Sequence, residues 1–493
     1  MLKNRKIYRA LAMILTVTIL ISTFASCGET EGSFESAEET SGLQSVTEHE
    51  SETERRDSLP ADLRYDDEEI IFISCDDITF DDITGDVVAD SIYERNLIVT
   101  ERLGTEITCI NDNDPVGKVA IAVGSGSNEY DILVDVCWNT APKFIENYFR
   151  DLRMTEFLDF DKPWWDQSFN AEMSYNDAQF GITGAMMLSL YRRTYITVFN
   201  KELFTNANQP FLYEYVENGT WTLDKQISLV PLFHQDNGNN QQDMTGDVYG
   251  FLSNDFIYVD PYWTSCEIDI IKKNADGEYE WAFDASKIYD VAEKVLTLFY
   301  KTDDGSYIEA DDYLSERTVW DMFSAGSGAM ATVCLVALED AAIRNMPQEY
   351  GVVPIPKYSE SQTQYYSQMH NGFTIACIPN TVSEERANML SAVLEIMSST
   401  SYTIVRPVYY ETVLRTRLAK DPQSAAMLDM IISNIRIDVG FLYALNIGTF
   451  NQEFQKLVAG KQNDSASRFK RSAASSQRAL SVLIARLNKI SDR

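Results

Sequence analysis

Histidine is scarce in this chain: three residues, His49, His234 and His370, in 493. That leaves little material for histidine-bound zinc or for imidazole acid–base catalysis. The seven cysteines form no CxxC pair; Cys75, Cys109, Cys137, Cys266, Cys334 and Cys377 are scattered, most of them in apolar runs. They read as buried thiols in preference to disulfides, although an exported chain permits pairing. Basic clusters are missing too, with 41 Lys and Arg against 75 Asp and Glu and a net charge of −34. Such a surface repels a phosphate backbone, so no nucleic-acid partner is expected. There is no phosphate loop: "SGS" beside Gly124 lacks the GxxxxGK[ST] spacing and follows no strand. No internal repeat is present.

A membrane-spanning apolar run is also absent. "LAMILTVTILISTF" is uncharged but shorter than the about 20 residues a span requires. It follows the basic "MLKNRKIYRA" and precedes "FASC", the order of an export signal over residues 1–26. "FASC" resembles the lipobox of bacterial lipoproteins, in which the cysteine, here Cys27, becomes the lipidated first residue. Residues 27–67 are rich in Glu, Ser and Thr, carry no apolar period and cannot bury enough surface to offset ordering entropy. They read as a disordered acidic tether.

From residue 68 the pattern changes. "EEIIFISCDD" predicts a buried strand, "DDITGDVVADSIYERNLIVTERLG" a helix stopped at Gly104, and "TEITCIND" a second strand. "KVAIAVGSGSNEY" reads as helix and turn, "YDILVDVCWN" as a third strand, and "APKFIENYFRDLRMTEF" as helix-like. Strands alternating with helices argue for parallel α/β packing, with ligands at the carboxyl ends of the strands. Those ends are Cys75-Asp76-Asp77, Cys109-Ile110-Asn111 and Cys137-Trp138-Asn139. Thiols near one sheet edge would suit a soft metal, but side-chain alternation and the usual burial of cysteine favour packing, and no metal is expected. Further along, Thr220 is placed as the N-cap of a helix from Trp221. "DASKIYDVAEKVLTLFYK" is an amphipathic helix, and "YGVVPIPKY" and "NGFTIACIPN" are strands. The remainder is mostly helical.

"FASC", "VVADSIYERNLIVTERLGTEIT", "YDILVDV", "TVFNKELF", "NGTWTLDK", "GDVYGF", "MPQEYGVVPIPKY" and "YYETVLRTR" occur in that order. Together they resemble extracellular solute-binding proteins of the maltose-binding type, the receptor lipoproteins of ABC importers. The resemblance implies an α/β, two-lobe, periplasmic-binding-protein-like (type II) fold with hinge strands and an interlobe ligand cleft. One lobe would take residues 68–190 with 371–400, the other 191–370 with 401–493. It implies no catalytic residue and no cofactor.

The same resemblance directs attention to particular side chains. Asp135 and Trp138 close the third strand, where this class presents a polar and an aromatic group to sugar. Trp138 is a stacking face or packs under the next helix. Arg193, or its neighbour Arg192, falls near a crossing strand; a solvated arginine pair is the competing reading. Asn254, Tyr258 and Trp263, with Asp255 and Tyr262, form an aromatic and polar group in "SNDFIYVDPYW". Tyr409 and Tyr410, beside Arg406, lie in a late segment that class members place by the cleft, and Tyr365 and Tyr366 are weaker candidates. "DKPWWDQ" puts Trp164 and Trp165 between carboxylates, as a sugar platform would. Adjacent residues on an extended chain face opposite sides, so at most one can see ligand, and packing within the first lobe is the preferred reading. Trp221 is read as core. Where relatives carry a calcium-like loop, "DNGNNQQDMTGD" supplies Asp236, Asn240, Asp243 and Asp247 without the EF-hand spacing, so a polar turn is expected.

These readings converge on a monomeric, lipid-anchored receptor at the extracellular face of the cell membrane. It would deliver a carbohydrate, an oligosaccharide first, to ABC permease subunits. The alternatives are a surface sensor or cell-wall accessory lipoprotein with the same fold and, further off, a surface glycosidase.

Overall fold

The first three strands and two helices follow the local signals closely. Strands β1 (Glu69–Ser74), β2 (Glu106–Asn111) and β3 (Ile132–Val136) form a sheet in which β1 pairs in parallel with both others. Helix α1 (Val87–Leu103) is capped by Asp86, which accepts from the Val88 and Ala89 amides, and ends at Gly104 with φ 73°. Only a residue tolerant of the left-handed region closes a helix that way at no cost. Helix α2 (Pro115–Ser125) starts on Asp114 and Pro115 and ends at Gly126. The computed structural model describes residues 57–80, 82–239, 241–310, 315–415 and 421–491. The expected export signal, Cys27 and most of the tether lie outside the described residues.

A fourth strand, β11 (Thr374–Cys377), joins this sheet antiparallel to β3, giving the order β11-β3-β1-β2. The second sheet has the order β10-β4-β9-β5-β8, built from β4 (Tyr195–Asn200), β5 (Tyr249–Asn254), β8 (Ser306–Glu309), β9 (Gly328–Cys334) and β10 (Tyr350–Val353). Here β5 runs parallel to β8 and β9, whereas β4 is antiparallel to β9 and β10. The sequence predicted parallel packing; both sheets are mixed. The reversed strands β4 and β11 are those through which the chain passes from one sheet to the other and back. The two passes lie side by side, paired at Thr194 and Met369, with the His370 amide donating to the Arg193 carbonyl at 2.8 Å.

Side-chain alternation splits the core of the first sheet. Ile132 and Val134 face a cluster with Val99, Leu103, Trp164, Trp165 and Leu390. Leu133 faces the other way, into a core that continues through Phe144 and Phe169 to the second sheet. "DKPWWDQ" belongs to the first cluster: Trp164 and Trp165 are 1% and 2% exposed. The Trp165 Nε1 donates to Glu395 at 3.0 Å, and Asp166 caps the helix Gln167–Met173 through the Phe169 amide. Both indoles therefore pack, as the preferred reading had it.

A second link joins the sheets away from the crossing strands. The hairpin of β6 (Ile271–Lys273) and β7 (Tyr279–Trp281) reaches the Ala171–Tyr175 segment. The Tyr279 hydroxyl donates to the Glu172 carbonyl at 2.7 Å, and its ring lies 4.9 Å from that of Tyr175. The long C-terminal helix Ser465–Ser491 adds an ion pair from Arg486 to Glu146.

Two local predictions need correcting. The 141–157 stretch holds only the 3-10 turns Ala141–Glu146 and Leu152–Met154, because Pro142 sits in the first and left-handed Asn147 (φ 61°) terminates it. The helix near Trp221 spans Leu223–Leu229, and its cap is Thr222, which accepts from the Lys225 amide. Trp221 itself is buried, its Nε1 donating to the Pro354 carbonyl at 2.8 Å.

Candidate functional site

Where the two passes run between the sheets, the carboxyl end of β3 meets the segment after β5 around a cavity of about 340 Å³. Trp138 and Asn139 line it from β3, Arg193 and His370–Gly372 from the passes, and Phe256, Ile257 and Asp260 from beyond β5. Glu316, at the start of the helix Ser315–Ser324, and Asn451, Gln452 and Gln455 complete the wall.

Backbone bonds fix this geometry. The Cys137 and Trp138 amides donate to the Phe373 and Asn371 carbonyls at 2.8 and 3.1 Å, tying the strand end to the returning pass. Asn254 Oδ1 accepts from the Phe256 and Tyr258 amides, which shapes the turn that presents Phe256 and Ile257. The Tyr195 hydroxyl holds the Ile257 carbonyl at 2.9 Å. Behind the wall, Tyr258 is buried; its hydroxyl accepts from Trp320 Nε1 and donates to Glu316 at 3.4 Å.

The electrostatics are those of charge taken out of water. Burial pushes Asp260 up to about 8, partly offset by the hydrogen bond from Gln455 Nε2 at 2.8 Å. Burial also raises Glu316, against the pull of the Arg193 charge and the Tyr258 hydrogen bond. Burial lowers His370 to about 4, and Arg193 acts in the same direction. Near neutral pH, Asp260 is thus protonated and His370 uncharged.

Of the residues read from sequence, Trp138 and Arg193 meet at this cavity, both half-buried. Asn254 and Tyr258 stand one layer behind it. Asp135 does not line it: 1% exposed, it accepts from the Val116 and Val136 amides and anchors the start of α2. Arg192 turns to Glu339 in a two-pronged pair at 3.0 and 3.1 Å. Tyr409 is buried below Arg192, its hydroxyl also on Glu339. Trp263 is fully buried among Phe283, Phe441, Phe450, Phe454 and Phe469, so its ring faces core and not cleft. Tyr262 packs edge-on to Phe299. Tyr410 lines a different hollow of about 310 Å³ with Trp165, Arg406 and Asp429, and donates to Asp429. Tyr365 and Tyr366 lie under Lys357 and Arg436.

Sequence reasoning missed Asp260, Glu316, His370, Asn451 and Gln455. Asp260 stood inside a quoted segment, between the aromatics that drew attention instead. In the 236–247 stretch, Asp247 accepts from the Asp243 and Asn237 amides and the Tyr249 hydroxyl, which hold it below the usual carboxylate range. Its oxygens are thus engaged by backbone; Asn240 lies outside the described residues. Among the described residues, no group of three or more His, Cys, Asp or Glu is placed to hold a metal. Cys137, Cys266, Cys334 and Cys377 are buried, whereas Cys75 is exposed and Cys109 half-buried.

No protein-family model matches the sequence, and no curated protein does. Solved structures do. The GacH receptor of Streptomyces glaucescens, solved unliganded and with acarbose, matches at a TM-score of 0.56 and 14% identity, over 85% of this chain and 99% of that one. An ABC substrate-binding protein from Listeria monocytogenes, in complex with cycloalternan, matches at 0.53 and 15%, over 84% and 100%. The MalE maltose/maltodextrin-binding domain from Bdellovibrio bacteriovorus, bound to maltotriose, matches at 0.52 and 15%, over 85% and 100%. Near-complete coverage of those chains at such low identity establishes the architecture: the chain has the two-lobe fold of ABC solute-binding proteins.

Proposed function

We propose that this chain is a lipid-anchored extracellular receptor that captures a carbohydrate, an oligosaccharide first, and delivers it to an ABC importer. One lobe comprises residues 68–190 with 371–400, the other 191–370 with 401–493, and the lobes close on cargo about the paired passes. The observation that carries the reading is the cavity beside those passes. Its size is in the range of about 300–1,000 Å³ typical of small-molecule sites. It combines an indole face, Trp138, with amides, carboxylates and a guanidinium, which is what a ring with an apolar face and a hydroxyl rim requires. The similar structures solved with acarbose, cycloalternan and maltotriose support the same choice.

A specific observation favours a second reading: the cavity holds two carboxyl groups, Asp260 and Glu316, and a glycosidase needs such a pair. The receptor reading accounts for both without chemistry. Asp260 is tied to Gln455 and Glu316 to Tyr258, so each carboxyl has a structural partner.

The test is a thermal-shift screen of the chain from Ser58 against mono- and oligosaccharides. A ligand at 100-fold over its Kd adds about 2.7 kcal/mol of stability. Stabilisation with the sugar recovered intact supports a receptor. Cleavage products would establish an enzyme, and silence across the panel would refute the carbohydrate reading.

A further inference from the structure

Among the described residues, the Arg193 guanidinium is the one permanent cation on the cavity wall, and it forms no hydrogen bond or ion pair with any of them. Its neighbour Arg192 is held by Glu339 through two hydrogen bonds, so the contrast lies within two adjacent residues. Glu316 is near enough to feel Arg193 but not near enough to bond it. A half-buried guanidinium offers five donors in a planar fork suited to a carboxylate.

Two other residues of the cavity wall have the opposite need. Asn451 is 1% and Gln455 5% exposed, and Asn451 Oδ1 and Gln455 Oε1 are buried with no partner among the described residues. Asn451 stands at the N-cap of the helix Gln452–Ala459 yet makes no capping bond, so its acceptor is not spent locally. A buried acceptor without a donor destabilises the fold, and a ligand donor would relieve that cost.

We propose that the cargo is an acidic saccharide: a uronate carboxylate sits on Arg193 while hydroxyls of the ring donate to Asn451 and Gln455, with the sugar face against Trp138. This rests on the receptor reading and narrows it. The burial that keeps a proton on Asp260 limits the repulsion an incoming carboxylate would meet there.

The test uses one ligand in two forms, digalacturonate and its methyl ester, with a neutral disaccharide and a zwitterionic dipeptide as comparators, all by calorimetry on the chain from Ser58. A bond from a charged donor predicts that the acid binds the wild type on the order of tenfold to a hundredfold tighter than the ester. In Arg193→Gln that preference falls below about threefold, and Arg193→Lys restores only part of it. Because acid and ester are compared on one protein, a folding defect in a variant cannot produce the result. Equal binding of acid, ester and neutral sugar would overturn the proposal and leave the receptor reading standing. Binding of the dipeptide alone, or of nothing in the set, would overturn both.

Discussion

Asp260 places a titrating charge where the fold is least able to hold it. It is 4% exposed, receives one hydrogen bond, from Gln455, and is pushed from an ordinary 3.8 up to about 8. The folded state therefore keeps a proton that the unfolded chain has released above about pH 4. Between those values the native state binds more protons, so stability falls as pH rises, by about 1.4 kcal/mol per pH unit. Asp260→Asn removes the titration and keeps a carbonyl oxygen for the Gln455 donor. Relative to wild type, the variant should gain up to about 4 kcal/mol between pH 5 and pH 8. His370, lowered to about 4, acts in the opposite sense, since its uncharged folded form gains stability as pH climbs toward 6.5. Glu395 and Asp438, each raised by burial to about 7, add to the loss. All three remain in both proteins and cancel in the difference. Urea unfolding at half-unit pH steps, extrapolated linearly, gives the two curves. A difference constant to within about 0.5 kcal/mol over that window would show that Asp260 is ionised in the fold and that the reasoning about its burial is wrong.

Two tryptophans give a contrasting pair. Trp138→Ala should weaken sugar binding by about tenfold or more with little change in melting temperature, since the half-buried ring faces the cavity. Trp263→Ala should cost about 3–5 kcal/mol of unfolding free energy in urea titration, because it empties a site walled by five phenylalanines. If Trp263→Ala left stability intact and abolished binding, the assignment of that ring to the core would fail.

The legible part of this protein was the part governed by neighbours in sequence. The Gly104 stop was read, a backbone requirement met within a few residues, whereas the second helix was read from Lys118 and starts earlier, on Asp114 and Pro115. The directions of β4, β10 and β11 were not legible, because pairing partners more than a hundred residues away decide them. The site divides the same way. Trp138 and Arg193 sit at a strand end and a crossing, positions that pattern and resemblance mark. Asp260, Glu316 and the Asn451–Gln455 pair come from three separate elements, and nothing local says that those elements converge. The aromatic count misled for a related reason: tyrosine and tryptophan serve a cleft or a core equally well. Trp263 follows Pro261 in a single turn, Pro261–Ser265, so its direction depends on the helices packed beside it.

Asn451 shows what the cavity costs the empty protein. Its side chain is buried at a helix N-cap, where an asparagine normally accepts an amide hydrogen bond, yet Oδ1 accepts none. Leucine has the same branching at Cγ, although it is bulkier, and no acceptor to desolvate. Asn451→Leu should therefore raise the stability of the unliganded chain by roughly 1 kcal/mol, the lower end of the cost of a buried unpaired group. In the same protein it removes a partner for a cargo hydroxyl, so affinity should drop by on the order of tenfold. A residue that only packed would lower stability and leave affinity unchanged. Urea titration without sugar, set beside calorimetry with it, separates the cases. Loss of stability together with unchanged affinity would return Asn451 to the core and remove the acceptor end of the site.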